Sequence, residues 1–124
     1  MVKNGQGGSI VNIASILGLR VSAQVPSYAA SKAALIQLTK AMALELARYR
    51  IRVNTLAPGY VETGINREFF ASEPGQALIK RIPQRRIGTP GELDGALLLL
   101  ASDAGSYMTG AVLAVDGGHV VNTL

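Results

Sequence analysis

Residues 26 to about 48, "PSYAASKAALIQLTKAMALELAR", form an unbroken stretch rich in Ala and Leu, with no Gly and with Pro only at its first position. No other feature limits the fold as strongly. Proline suits a first helical turn and nothing after it interrupts the pattern, so the stretch predicts one long helix. At 1.5 Å per residue such a helix is roughly 34 Å long. Short apolar runs flank it: "SIVNIAS" at 9–15, after a glycine-rich turn, and "IRVNTLA" at 51–57, stopped by Pro58 and Gly59. Both read as strands. A strand, a long helix and a second strand make a β-α-β unit, which implies parallel strands and a right-handed crossover.

The remaining sequence extends the same plan. Residues 64 to about 81 read as a less regular helical segment, interrupted by "SEPG" at 72–75, that can move as a flap. A second helix starts after Pro90 and runs to about Ser102, although Gly95 inside it costs about 1 kcal/mol relative to Ala. "AVLAVD" at 111–116 is a continuous apolar strand of the kind buried on both faces of a parallel sheet. There is no internal repeat and no low-complexity linker. With 124 residues the chain suffices for a single domain. Three parallel strands with flanking helices are nonetheless only half of a doubly wound α/β sheet. The strand at 9–15 then exposes a pairing edge. Apolar residues make up 48% and charged residues 16%, against roughly 25% charged in an average soluble domain, so a large interface or a missing partner segment is implied.

Composition excludes several classes of function. The net charge of +4 is scattered apart from "KRIPQRR" at 80–86, and no aromatic residues interleave with that cluster. It reads as a solvated basic face rather than a nucleic-acid interface. With no Cys and a single His119, neither a disulfide framework nor a metal site is expected. The absence of Cys fits a reducing cytoplasm. "MVKNGQGGSI" lacks the apolar core of a signal peptide, and the longest apolar run, "ALLLLA" at 96–101, is too short to span a bilayer. No membrane partner is expected.

Chemistry concentrates at the start of the long helix. Tyr28 and Lys32 are four apart, so they project side by side, about 6 Å apart along the axis. An ammonium beside a phenol favours the phenolate, which makes Tyr28 a general acid and base near neutral pH. The plain alternative is a half-buried tyrosine beside a surface lysine. Context therefore decides. Ser15 ends the first strand thirteen residues before Tyr28, and ligands of open parallel sheets bind beyond the carboxyl ends of the strands. Its hydroxyl is placed to polarise the oxygen that Tyr28 protonates, or else is a strand-end turn residue. In "APGYVET", Gly59 allows close backbone approach to a ligand, and the Val61 backbone and Thr63 hydroxyl are placed to meet a polar group. Thr63 equally suits a helix N-cap.

Ser15, Tyr28-x-x-x-Lys32 in an Ala-rich helix, "NTLAPGYVET", "PQRRIGTPGEL" and "LLLLASDAGSYMTGAVLAVDGG" together resemble the short-chain dehydrogenase/reductase family of the classical type, from about Gly8 to Gly118. The resemblance implies a Rossmann-type sheet and hydride transfer between NAD or NADP and a small carbonyl or alcohol substrate. By the same resemblance Tyr28 is the catalytic acid/base, Lys32 holds the nicotinamide ribose hydroxyls and favours the phenolate, and Ser15 orients the substrate oxygen. Pro58, Gly59, Val61 and Thr63 then line the nicotinamide end of the cofactor, and 64–82 is a substrate lid. The helix from Pro26, the helix from Pro90 and the final strand match elements that build homodimers and homotetramers in that family.

The family's opening strand, pyrophosphate-binding glycine loop and catalytic Asn have no counterpart here. "GQGG" at 5–8 precedes a strand instead of opening a helix, and so fails the test for a dinucleotide fingerprint. Gly91 stands where the family usually has an acidic residue, and Gly95 where it has Ala. The expectation is a single partial domain over 1–124, beginning just upstream of the catalytic strand, with the dinucleotide-binding half absent. Its alternative is a catalytically silent half-domain that only associates with other chains.

Overall fold

In the computed structural model, which describes residues 1–122, helix α1 (Pro26–Leu46) starts at its proline and runs for 21 residues. One 3-10 turn at 47–49 and Arg50 in the left-handed region (φ 58°) end it. Strand β1 (Gly8–Ile13) precedes α1 and strand β2 (Ile51–Pro58) follows it. They pair in parallel from Gly8 opposite Ile51 to Ile13 opposite Leu56. Helices α2 (Arg67–Ala71), α3 (Glu73–Ile79) and α4 (Asp94–Ala101) lead to strand β3 (Val112–Val115), parallel to β2 from Thr55 opposite Val112 to Pro58 opposite Val115. The sheet order is β1-β2-β3.

Alternation along the strands separates the two faces. Ile10 and Val53 are register partners, and Val53 forms a buried cluster with Ala43 and Ile51, against which Ile10, Met42, Leu46 and Tyr49 pack. That face belongs to α1. Asn12, on the same face, donates to Thr39 Oγ1 of α1 at 2.9 Å, and Thr39 in turn donates to Leu35 O at 2.8 Å. Ser9 and Arg52, one residue back, turn to the opposite face, where both donate to Leu100 O of α4, at 2.8 and 2.9 Å.

Three expectations need correction. The first strand ends at Ile13, so Ser15 lies two residues beyond it. The strand buried on both faces is β2, with six of eight residues buried; β3 is only half-buried and Ala114 is exposed. Burial follows place in the sheet rather than apolarity, since β2 has a strand on either side and helices over both faces, while β3 has one strand neighbour. The helical break at 72–75 narrows to Ser72, whose hydroxyl accepts from the Gly75 N–H at 3.3 Å while Glu73, Pro74 and Gly75 form the first turn of α3. Proline is tolerated there. Gly75 is required because a Cβ would stand 2.0 Å from Phe69 O.

A 3-10 turn at Pro90–Leu93 opens α4, and Glu92 fixes it. Its oxygens accept from Arg86 at 2.7 and 2.8 Å and from the Thr89 N–H at 2.8 Å. The Arg86 hydrogen bond first, then that from Thr89, holds the Glu92 carboxyl at about 2, below the ordinary 4.5. A depressed carboxylate stabilises the folded form above the unfolded value, and the contribution disappears as pH falls from 4.5 toward about 2. The pair is exposed, so salt weakens it. Carboxyl carbon NMR titration is expected to put the Glu92 midpoint well below the ordinary value; a midpoint at that value means the bonds do not persist in solution.

Candidate active site

Because the strands are parallel, their C-terminal ends share one edge of the sheet. β1 and β2 stay paired there, the Ala14 N–H donating to Leu56 O at 2.8 Å. Ser15 follows in extended backbone, and its Oγ accepts from the Leu17 N–H at 3.1 Å, capping a 3-10 turn at Ile16–Gly18. Accepting occupies a lone pair and leaves the hydroxyl proton free to be donated. The turn rests directly on α1 through Gly18, where a Cβ would stand 2.8 Å from Lys32 O and 2.7 Å from Ile36 Cδ1. Sequence reasoning missed Gly18. Its signal was only a glycine three residues past Ser15, with no pattern to mark the close approach.

Tyr28 and Lys32 occupy the first two turns of α1. Lys32 Nζ donates to Ile13 O at 3.1 Å and stands 5.6 Å from the Tyr28 ring centroid. One ammonium thus ties the end of β1 to the tyrosine, with two N–H bonds left for another acceptor. Tyr28 is half exposed, so its hydroxyl is open to a ligand.

The 58–63 segment leaves the same sheet edge. Pro58 pairs with Val115 at the last position of β2. A Cβ on Gly59 would stand 2.6 Å from Asp116 Cβ, so the close approach that the sequence assigned to a ligand is made to the end of β3. Val61 bridges Gly88 in parallel, the Gly88 N–H donating to Tyr60 O at 2.9 Å and the Glu62 N–H to Gly88 O at 2.8 Å. In that pattern Val61's own N–H and carbonyl point away from Gly88, and the carbonyl accepts from Asn66 Nδ2 at 2.8 Å. Asn66 Oδ1 accepts from the Thr63 N–H at 2.8 Å. Thr63 is exposed and does not cap α2, whose N-cap is Asn66. Asn66 therefore fixes the turn, another residue the sequence reading missed.

A cavity of about 840 Å³ opens beside this edge. Its wall includes Ile16 and Leu17, next to Ser15, then Tyr60, between Gly59 and Val61, and Leu78 and Ile82 from the far side. His119 closes one end, 8% exposed, its ring 5.6 Å from that of Tyr60. Burial first, then the Arg20 charge, pushes its imidazole below the ordinary 6.5, and Asp116 opposes the shift. The His119 Nδ1 is buried with no partner among the described residues. Among those residues no group of His, Asp and Glu gathers as a metal site, and no helix is long and apolar enough to cross a membrane.

Residues 1–120 match the family model described as enoyl-(acyl carrier protein) reductase. Over 118 residues the chain is 43% identical to 2-dehydro-3-deoxy-D-gluconate 5-dehydrogenase of Escherichia coli, covering 94% of this chain and 47% of that protein. It is 44% identical over 121 residues to the 3-oxoacyl-(acyl-carrier-protein) reductase of Thermotoga maritima, covering 98% of this chain and 48% of the other. A gluconate 5-dehydrogenase from Burkholderia cenocepacia, crystallised with NADP and tartrate, superposes with a TM-score of 0.92 at 40% identity, covering 98% of this chain and 48% of the other. The chain spans about half the length of the curated relatives it matches.

Proposed function

The chain belongs to the short-chain dehydrogenase/reductase family, and we propose that it supplies the acid/base half of an NAD(P)-dependent oxidoreductase acting on a carbonyl or alcohol. The observation that carries this reading is Lys32, bonded at once to Ile13 O and set against the Tyr28 ring, on the helix turn that Gly18 presses against the Ser15 turn. Tyr28 donates its phenolic proton to the substrate oxygen in reduction and accepts it in oxidation. Ser15 donates its free hydroxyl proton to the same oxygen. The remaining Lys32 N–H bonds hold the cofactor's ribose hydroxyls.

The residues present fit a nicotinamide nucleotide. Val61 turns its N–H away from the Gly88 bridge, free to meet the carboxamide, and the exposed Thr63 hydroxyl lies two residues on. Pro58 and Gly59 form the floor leading to them. NAD(P), when bound, gives or accepts the hydride. Its pyrophosphate is held by sequence outside this chain, in the half of the family's length that the match leaves uncovered. The 64–82 segment closes over the substrate, and residues 1–124 act as one partial domain in the cytoplasm. The exposed Leu38 and Leu44 of α1 favour a homo-oligomer.

In the protein joined to its cofactor-binding half, deuteride from nicotinamide-deuterated NADPH is expected in the alcohol product. Lys32→Met is expected to raise the cofactor Kd by about tenfold, the scale of one charge-assisted hydrogen bond. Unchanged affinity removes Lys32 from the cofactor. A second reading, a silent half that only associates, is favoured by the same apolar α1 surface and the unpaired edge of β1. Residues 1–124 alone are expected to bind NAD(P) weakly or not at all, and a low-micromolar Kd by titration overturns that expectation.

A further inference from the structure

The cavity beside Ser15 is lined by positive charge from two segments and, among the described residues, by no carboxylate. Arg20 projects from the segment after the Ser15 turn, and Lys80, Arg81 and Arg85 from the stretch that follows α3; all four line it. Arg20 donates to His119 O and Arg85 to Lys80 O, both neutral carbonyls. The ion pairs among the described residues lie elsewhere, Arg67 with Glu62 and Arg86 with Glu92. Asp116, the acidic group nearest in sequence to His119, is turned back on the chain, accepting from the Gly118 and Val120 N–H groups at 2.9 and 2.7 Å.

A solvated basic face would be convex and would keep its charges apart. Here the charges converge on a concavity floored by Ile16 and Ile82, 2% and 1% exposed, whose volume suits a small molecule. Low-dielectric walls focus the potential of like charges into the space between them. His119 adds a buried ring nitrogen without a partner among the described residues, on the wall of the same cavity.

We propose that this cavity holds the anionic end of the substrate, a carboxylate or phosphate bound by Arg20, Arg81 and Lys80, with the reacting carbonyl directed toward Ser15. The inference rests on the oxidoreductase reading for the reacting end; the anion site stands on the cavity itself. It makes the substrate an acidic carbonyl compound, and Arg20 and Arg81 specificity-determining residues.

The test uses the full-length protein and two sets of pairs, each setting an anion against its neutral counterpart. Oxohexanoic acids carrying the ketone at each chain position in turn are compared with their methyl esters, and dihydroxyacetone phosphate with dihydroxyacetone. Binding is read by calorimetry, hydride transfer by NADPH oxidation. At least one anion is expected to bind about tenfold more tightly than its neutral counterpart, one charged hydrogen bond's worth, and the preference should shrink with added salt. The Lys80→Gln/Arg81→Gln double variant, which removes no side-chain hydrogen bond among the described residues, is expected to abolish the preference with the melting temperature unchanged. Arg20→Gln should also abolish the preference, with some loss of melting temperature because it gives up the bond to His119 O. The oxo acids answering identifies a carboxylate, the triose answering a phosphate. Equal binding of every charged and neutral pair overturns the proposal, as does a preference that survives in both variants. Turnover without charge preference defeats the anion site alone, whereas charge preference without turnover defeats only the oxidoreductase reading.

Discussion

Tyr28→Phe in the full-length protein is expected to lower kcat for carbonyl reduction by about a thousandfold, within the usual contribution of a positioned general acid, while leaving cofactor affinity within about twofold. The substitution is narrow. Phenylalanine keeps the ring that lies 5.6 Å from Lys32 Nζ, so the lysine retains its neighbour and its bond to Ile13 O. Only the O–H is lost, from a side chain already half exposed, and the melting temperature should stay within a degree or two. Since the loss is a proton donor and not a binding group, KM should move far less than kcat. Stopped-flow following of NADPH absorbance separates the chemical step from release. Retained single-turnover rates, within about threefold of the parent, would remove Tyr28 from the acid/base role.

The architecture was legible from periodicity because α1 and its flanking strands are long and uninterrupted. Helix spacing alone brings Tyr28 and Lys32 together, and parallel strands bring Ser15 and the 58–63 segment to one edge. What escaped is what depends on contacts between distant segments. Gly18 is a glycine because the Ser15 turn presses on Lys32, and Gly59 because β2 ends against Asp116. Neither contact leaves a local mark. The β3 expectation failed for a related reason: apolarity reports what a strand can bury, while burial also needs neighbours, and β3 has one. The cavity cations escaped because Arg20 and Lys80–Arg85 are sixty residues apart in sequence, and each alone reads as a solvated charge. His119 was weighed only as a metal ligand, so its burial beside Tyr60 had no sequence signal.

The largest stability effect is expected at Asn54, fully buried at the middle of β2. Its Nδ2 donates to Met108 O at 2.8 Å and its Oδ1 accepts from the Ala111 N–H at 3.0 Å, so one side chain satisfies both backbone groups of the turn that feeds β3. Asn54→Leu has similar size; it strands the Ala111 N–H and leaves Met108 O only the 3.4 Å bond from Arg52. At about 1–3 kcal/mol for a buried unpaired group, with a smaller loss at Met108, the total is about 2–4 kcal/mol, a large share of a typical domain's stability of about 5–15 kcal/mol. Urea unfolding of the full-length protein measures it, and a loss below about 1 kcal/mol means that water or local rearrangement satisfies the turn. Asn54→Asp makes the two bonds separable. The carboxylate still accepts from Ala111 but faces the Met108 carbonyl with no proton, which raises its folded pKa above the unfolded one. Its stability should therefore be greatest below the unfolded value, where the acid O–H can donate to Met108, and fall as pH rises through the folded value. Asn54→Leu has no such group and should show no added pH dependence. Since Asp116, the residue after β3, packs on Gly59, both variants should also loosen the 58–63 segment and weaken cofactor binding.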